Sequence, residues 1–148
     1  MLRNVVEGDL PTFFEHQQDP EANSMAAYPA KEWDAFISHW RHKILGNRDN
    51  EARTILVDDQ VVGYVSSWKQ DGRRLVAYWV GREYWGRGVA RTALAEFLTN
   101  HEHHRPIHAY VAQSNARSMR VLEKCGFQRV GEPADGVAEV LFVLDGAA

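Results

Sequence analysis

The sequence has little cysteine, few prolines and no long apolar run. Its 148 residues include one cysteine, Cys125, and five prolines. A lone cysteine can form neither an internal disulfide nor a zinc site built from several cysteines, which favours a reducing compartment. No segment approaches the roughly 20 apolar residues of a membrane span, and Glu7 and Asp9 interrupt the N-terminus before any signal-peptide-like run. These absences predict a cytoplasmic protein without a membrane partner.

The chain also lacks an excess of positive charge. It carries 17 basic and 20 acidic side chains, for a formal net charge of −3. A mildly acidic chain has no overall attraction for phosphate backbones, so we expect no nucleic-acid partner. Hydrophobic residues make up 45% and charged residues 25%, the balance of an ordinary globular protein. The length suits one domain, which we expect to span residues 1–148.

Apolar periodicity and turn residues predict the order β, one or two helices, βββ, α, β, α, ββ. A short strand at 2–6 comes first, and Asp9 and Pro11 are typical of a helix N-cap and first turn. The segment 19–30 shows no clear period and is interpreted as a loop with room for one helical turn. Apolar residues then recur at helical spacing over 33–44, which predicts an amphipathic helix with its two tryptophans in the core.

The remaining elements follow from a change of period. A helix with apolar residues at helical spacing is predicted over 90–98, and another begins at Asn115 and ends at Gly126. Six runs rich in β-branched and aromatic residues predict strands: 54–57, 61–68, 75–80, 107–112, 128–131 and 137–144. The first three are joined by short turns and should be antiparallel. The fold class is therefore α/β or α+β, with a mixed sheet.

The most informative segment is 78–91, YWVGREYWGRGVAR, where a strand runs into a glycine-rich turn that opens a helix. Gly86 and Gly88 lack Cβ atoms, so backbone N–H groups can approach a ligand closely. A helix N-terminus adds unpaired N–H groups, and Arg87 and Arg91 add donors suited to phosphate. The alternative is that the glycines only shape a tight turn. Arg91 occupies the place of the third glycine of a dinucleotide fingerprint and no P-loop lysine follows Gly88, which disfavours a nucleotide site.

Two motifs support a more specific interpretation. Residues 85–90, WGRGVA, resemble the acyl-CoA motif Q/R-x-x-G-x-G/A of the GNAT superfamily of N-acetyltransferases. Trp85 departs from the usual Gln or Arg, as in the RimJ/RimL-like branch of ribosomal-protein N-terminal acetyltransferases. Residues 115–127, NARSMRVLEKCGF, resemble N-x-x-S-x-x-V-L-E-K-x-G-F of the same branch. The resemblance covers 54–132 well. It implies a mixed, mostly antiparallel sheet of six to seven strands with helices on both faces.

The resemblance also implies how acetyl-CoA is held. Backbone groups of Tyr78, Trp79 and Val80 would pair with the pantetheine amides. The pyrophosphate would be held by the N–H groups of six consecutive residues: Gly86, Arg87, Gly88, Val89, Ala90 and Arg91. Asn115 would contact the cofactor, or serve only as a helix N-cap, and the two roles are compatible.

Acetyl transfer requires a deprotonated amine and a stabilised leaving thiolate. Tyr110 stands where some related enzymes have a glutamate base, so it is a candidate for orienting the amine or a water; the alternative is a packed strand aromatic. The tyrosine acid that many GNAT enzymes carry seven residues after the asparagine is Leu122 here. Ser118 is the substitute acid that the branch suggests, unless its hydroxyl only bonds the helix backbone one turn back.

Three residues of the 19–30 segment, Glu21, Met25 and Tyr28, are candidates for acceptor binding. The sequence thus predicts an N-acetyltransferase that uses acetyl-CoA and a small-molecule or peptide amine, by direct transfer. The alternatives are a non-catalytic acyl-CoA-binding module and a nucleotide-binding domain; a homodimer is left open. The cluster 101–104, HEHH, falls at a helix end without a second ligand group, so we expect it to face solvent and predict no metal.

Overall fold

The structure, a computed structural model, describes residues 1–26, 31–130 and 139–146. Seven strands form one sheet in the order β1-β2-β3-β4-β5-β7-β6. Their bounds are β1 Leu2–Asn4, β2 Glu51–Val57, β3 Gln60–Gln70, β4 Arg73–Val80, β5 Ile107–Ala112, β6 Gln128–Arg129 and β7 Glu139–Leu144. Every neighbouring pair is antiparallel except β4 and β5, which are parallel. The predicted mixed, mostly antiparallel sheet is confirmed.

The helices lie on both faces of this sheet. They are α1 Leu10–His16, α2 Pro20–Ala26, α3 Trp33–Ser38 with a π-helical continuation at His39–Ile44, α4 Val89–Asn100 and α5 Ala116–Lys124. Alternate residues of a strand point to opposite faces. On β3, Val65 joins the core formed with α4 and α5, whereas Tyr64 joins a second core with Phe13 of α1 and Phe36 of α3.

Three expectations for the N-terminal third need correction. The segment interpreted as a loop begins with the two-turn helix α2. Trp40 is buried as predicted, but Trp33 is 39% exposed and touches the second core through ring contacts such as the one with Phe14. Asp9 precedes α1, yet its side chain makes no capping bond to that helix. Its carboxylate instead accepts hydrogen bonds from Arg3 at 2.7 and 2.8 Å and from Thr54 at 2.7 Å, so it joins the start of α1 to β1 and β2.

In the 101–104 segment His103 and His104 are exposed as predicted, but Glu102 is not. Glu102 is fully buried, and its carboxylate accepts hydrogen bonds from Arg74 and Ser67 in the sheet. Within residues 1–26, 31–130 and 139–146, no three His, Cys, Asp or Glu side chains come together in a way that could hold a metal ion. The same part of the chain contains no helix long and apolar enough to cross a membrane.

The parallel pairing of β4 and β5 is short, and this positions the candidate site. The register contains only two pairs, Arg74 with Ile107 and Leu75 with His108. Beyond them β4 continues to Val80 and β5 to Ala112, so the two strands diverge. The glycine turn after β4 and the start of α5 after β5 both lie at this diverging end.

Candidate active site

A cleft of ≈ 540 Å³ opens where β4 and β5 diverge. Its walls come from the end of β4, the glycine turn, the first turn of α4, one side of α5 along its length, and one residue of α2. The lining residues are Ala22, Tyr78, Trp79, Val80, Tyr84, Trp85, Gly86, Gly88, Val89, Ala90, Arg91, Asn115, Arg117, Ser118, Arg120, Val121 and Lys124. Both sequence motifs therefore meet in one cavity, and it contains every residue predicted to bind the cofactor except Arg87.

The glycine turn leaves room for a ligand against its backbone. Gly86 and Gly88 have φ of +79° and +75°, a left-handed conformation that residues with a Cβ rarely adopt. Among the residues that the structure describes, a Cβ built on Gly88 would meet nothing within 4 Å, and one on Gly86 would reach only Arg117 Nη1 at 4.0 Å. Gly88 is also the N-cap residue of α4, a helix of 12 residues, so the unpaired N–H groups and positive dipole end of that helix lie at the turn. The backbone and the charge together suit an anion.

Trp85, the residue that departs from the family motif, anchors this turn. Its indole N–H donates to the carbonyl oxygen of Val80 at 2.9 Å, and the guanidinium of Arg117 lies 5.0 Å from the centre of its ring. The turn is thus fixed to the end of β4 and to the first turn of α5. The guanidinium of Arg87 lies over the ring of Tyr84, 5.7 Å from the centre. Tyr84 itself lines the cleft, and the predicted phosphate contact of Arg87 stays a prediction.

Asn115 is the N-cap of α5, as one of its two interpretations predicted. Its side-chain oxygen accepts a hydrogen bond from the N–H of Ser118 at 3.1 Å. Such a bond satisfies one of the unpaired donors at the helix start. Because Asn115 also lines the cleft, the cap fixes its position without removing its amide group from a ligand, and the cofactor contact stays a prediction.

Ser118 has a partner that the sequence did not suggest. Its Oγ lies 2.6 Å from the phenol oxygen of Tyr78, and the Ser118 carbonyl oxygen lies 3.2 Å from that same phenol oxygen, so both Ser118 oxygens are within reach of the single phenol proton. Burial raises the pKa of Tyr78 to about 12, more than the bond to Ser118 lowers it. The family motif predicts only a backbone role for Tyr78. Alternation along β4 could have predicted which face of the sheet carries the Tyr78 side chain, because Val76, Tyr78 and Val80 share the face that α5 covers.

Tyr110 does not lie with Ser118. Residues on either side of it, Ala109 and Val111, belong to the core beneath α4 and α5, so Tyr110 faces the opposite side of the sheet. It is 46% exposed, which makes the packed-aromatic alternative wrong, and its phenol accepts a hydrogen bond from Arg73 at 3.1 Å. It is absent from the cleft lining. Its predicted role in orienting the amine or a water stays a prediction.

The three acceptor candidates are only partly described. Glu21 lies in α2 beside the cleft residue Ala22, and its carboxylate is 2.7 Å from Arg82 in the turn after β4. Both side chains of this pair are about half exposed. Met25 belongs to α2, but its side chain lies outside the described residues, as does Tyr28. Acceptor binding by these residues stays a prediction.

Cys125 packs as predicted. It lies against the main core at the end of α5, its Sγ contacts the Arg91 carbonyl oxygen at 3.6 Å, and it is absent from the cleft lining. Burial raises the pKa of its thiol, which Arg91 only partly offsets. A thiol that is held neutral and away from the cleft is a poor nucleophile.

Residues 1–128 match the family model described as the acetyltransferase (GNAT) domain. The chain belongs to this family. Membership makes it an acetyl-CoA-dependent N-acetyltransferase, which confirms the predicted fold and class of enzyme. The match covers 128 of 148 residues and includes the glycine turn and the whole of α5.

Solved structures show the same GNAT fold. The aminoglycoside acetyltransferase AAC(6')-Ib in complex with coenzyme A has a TM-score of 0.78 at 20% identity, with 98% of this chain and 94% of that chain covered. Spermidine N-acetyltransferase from Vibrio cholerae in complex with CoA and spermine has a TM-score of 0.76 at 17% identity, with 97% of this chain and 92% of that chain covered. An acetyltransferase from Thermus thermophilus has a TM-score of 0.79 at 17% identity, with 98% of this chain and 96% of that chain covered. Comparison with curated protein sequences gives no significant match.

Proposed function

We propose that this GNAT acetyltransferase transfers the acetyl group of acetyl-CoA directly to a primary amine within a ternary complex. The acceptor is a small molecule or a peptide N-terminus, and the enzyme is of the RimJ/RimL-like kind. The observation that carries the proposal is the cleft at the divergence of β4 and β5, because the glycine turn, the N-terminus of α4 and the start of α5 all contribute to it.

The cleft suits the charge and shape of the cofactor. The glycine turn and the start of α4 offer backbone N–H donors to the pyrophosphate. Four cationic side chains line the same cavity and can neutralise further phosphate charge: Arg91, Arg117, Arg120 and Lys124. The pantetheine arm would extend along 78–80, where β4 has separated from β5 and an added strand can bind through its amides.

The reaction follows from the chemistry of the residues that line the cleft. The amine lone pair attacks the thioester carbonyl carbon, the C–S bond breaks, and the leaving sulfur carries the negative charge. Ser118 lines the cleft, and its O–H can donate a hydrogen bond to that sulfur. The proton that the amine loses passes to solvent, and Tyr110 is a candidate for orienting the amine or a water on the acceptor side.

Direct transfer is favoured over a covalent acetyl-enzyme. The only cysteine of the chain, Cys125, has a raised thiol pKa and lies outside the cleft lining. An activated serine would need an adjacent base, whereas Ser118 is paired with a neutral phenol. The amine therefore attacks the bound thioester itself.

The test is a screen of amine acceptors with acetyl-CoA and mass detection of the acetylated product. Aminoglycosides and polyamines belong in the panel, since two of the structural neighbours were solved with kanamycin or spermine, together with amino acids and peptides. Turnover of any primary amine, first order in each substrate at low concentration and without burst release of CoA, supports the proposal. Tight CoA binding without turnover across the panel would favour the non-catalytic module, and competition by ATP or NAD would favour a nucleotide site.

A further inference from the structure

We propose that Tyr78 is a positioning residue, whose phenol donates a hydrogen bond to Ser118 Oγ and thereby directs the serine O–H into the cleft, toward the leaving sulfur. The inference rests on the proposed function, since it assigns a task to the hydroxyl that faces the thioester. It concerns the side chain of Tyr78 and is separate from any contact of its backbone with the cofactor.

The direction of the hydrogen bond follows from the chemistry of its two hydroxyls. A phenol is more acidic than an aliphatic alcohol and is the better donor, so Tyr78 donates and Ser118 accepts across their 2.6 Å contact. A hydroxyl that accepts on one side has its own proton left to donate on another. Both residues line the cleft, so the serine proton is directed into the cavity.

Ser118 is held in place by contacts to two residues, and the single phenol proton of Tyr78 is shared between the near Oγ and the more distant carbonyl oxygen of Ser118. Its N–H donates to the Asn115 side chain at 3.1 Å, its Oγ lies 2.6 Å from the Tyr78 phenol oxygen, and its carbonyl oxygen lies 3.2 Å from the same phenol oxygen. Tyr78 itself projects from β4 into the core under α5. A donor fixed in this way loses little entropy when the thiolate forms.

Tyr78 does not supply the proton. Burial raises its pKa to about 12, whereas a free thiol has a pKa near 8.5, so transfer from the phenol to the thiolate is unfavourable by more than three pKa units. Tyr78 therefore stays neutral through the reaction. The sulfur gains a hydrogen bond from Ser118 while the C–S bond breaks, and it takes its proton from solvent when CoA leaves.

The test is a double-mutant cycle on the full chain with Tyr78→Phe, Ser118→Ala and the combined variant. We expect Ser118→Ala to lower kcat about 100-fold, the low end for losing one hydrogen-bond donor to the charge that develops in the transition state. Tyr78→Phe removes one neutral hydrogen bond and should lower kcat about three- to tenfold, with the Kd for CoA unchanged. In the Ser118→Ala background, the further effect of Tyr78→Phe on kcat should fall below about 1.5-fold, because no hydroxyl is left to orient.

The matched control is Tyr64→Phe. This variant also removes one tyrosine hydroxyl, which accepts a hydrogen bond from Gln17 at 2.8 Å, but it does so at the second core on the other side of the sheet. It should lower the melting temperature as Tyr78→Phe does and leave kcat within about twofold of the parent. A loss of kcat specific to Tyr78→Phe then cannot come from destabilisation alone.

Two outcomes would overturn the role of Tyr78. One is a parental kcat in Tyr78→Phe with the chemical step shown to be rate-limiting in single turnover. The other is an equal effect of Tyr78→Phe with and without Ser118, which would make Tyr78 act independently. Either result leaves the acetyl transfer of the parent enzyme intact, whereas failure of the proposed function would appear as no turnover in the parent itself.

Discussion

Arg74 on β4 and Glu102, just after α4, form an ion pair inside the protein, with Nη2 and Oε2 2.8 Å apart. Their side chains are 8% and 0% exposed. The carboxylate also accepts hydrogen bonds from Ser67 on β3 and from the backbone N–H of His104 at 3.1 Å, and it contacts the His104 ring. This network fastens the end of α4 to the centre of the sheet, at the base of the strands that diverge to form the cleft.

The first prediction concerns this carboxylate and pH. Burial alone would raise the pKa of Glu102, but the hydrogen bonds from Arg74, Ser67 and His104 outweigh it and lower the pKa to about 2. A depressed pKa in the folded state stabilises the fold above the ordinary value of 4.5 and loses that effect as pH falls toward 2. Glu102→Gln leaves the buried guanidinium without a counter-ion and should lower the free energy of unfolding by about 3 kcal/mol at neutral pH.

Urea unfolding at about pH 7 and about pH 3 checks this prediction, because the gap between parent and Glu102→Gln should narrow at the lower pH. His104→Ala is the matched control: its ring is 68% exposed, so its loss should cost less than about 1 kcal/mol. A gap that stays constant between the two pH values would mean that the charge of Glu102 does not matter.

The Arg74–Glu102 pair is an example of a contact that could not be predicted from the sequence. Helix periodicity and strand alternation are local, so α4, α5 and the strands could be predicted from neighbouring residues. The partners of Glu102 lie 28 and 35 positions away, and nothing in 101–104 distinguishes a buried carboxylate from a solvated one. The helix α2 was missed for a related reason, since its seven residues contain Pro20 and too few apolar residues to show a period.

The second prediction concerns the glycine turn. Gly88→Ala and Gly88→Asp both place a Cβ at φ +75°, so both should lower the melting temperature by a similar amount. Only the aspartate adds a negative charge beside the expected pyrophosphate. We expect CoA to stabilise the alanine variant with a reduced shift and to leave the aspartate variant almost unshifted, as measured by thermal unfolding with increasing CoA. Equal CoA shifts in the two variants would place the pyrophosphate away from this turn.

The third prediction concerns α2 and the acceptor. Glu21 is about half exposed and lies beside a residue that lines the cleft, so its carboxylate is available to an ammonium group as well as to Arg82. Glu21→Gln should raise the acceptor KM about three- to fivefold, the effect of one exposed charge pair, and leave the KM for acetyl-CoA unchanged. Steady-state kinetics with the best acceptor of the screen measures both constants.

Arg82→Gln is its control, because it breaks the same ion pair from the other side. If Glu21 contacts the acceptor, Arg82→Gln should leave the acceptor KM unchanged or lower it by releasing the carboxylate. A parallel rise in both variants would show that the pair only holds α2 in place.

The sequence predicts those parts of the candidate site that belong to motifs. It does not predict contacts between side chains that come from distant strands and helices. Gly86, Gly88 and Asn115 come from motifs whose local backbone is specific, and all three line the cleft. Tyr110 and Ser118 are both catalytic candidates by sequence, yet they face opposite sides of the sheet. The partner of Ser118 is Tyr78, 40 positions away, and only the packing of α5 on β4 brings them together.

The last prediction concerns the ionisation of Tyr78. Burial raises its pKa to about 12, so the phenol should stay neutral well above the ordinary value of 10. The measurement is the near-ultraviolet absorbance of phenolate, titrated against pH in the parent and in Tyr78→Phe. The two proteins should differ by the absorbance of one ionised tyrosine, and that difference should appear only at the highest pH at which the protein stays folded.

The same shift in the pKa of Tyr78 affects stability and the kcat profile. Because the folded state holds this proton more tightly than the unfolded state, the stability that Tyr78 contributes is complete below about pH 10 and is lost as pH rises toward 12. The kcat profile should accordingly contain no ionisation that Tyr78→Phe removes between about pH 6 and 10. If kcat of the parent changes with pH in that range and the change is absent in Tyr78→Phe, the phenol exchanges its proton during turnover. Tyr78 would then be a general acid and not a positioning residue.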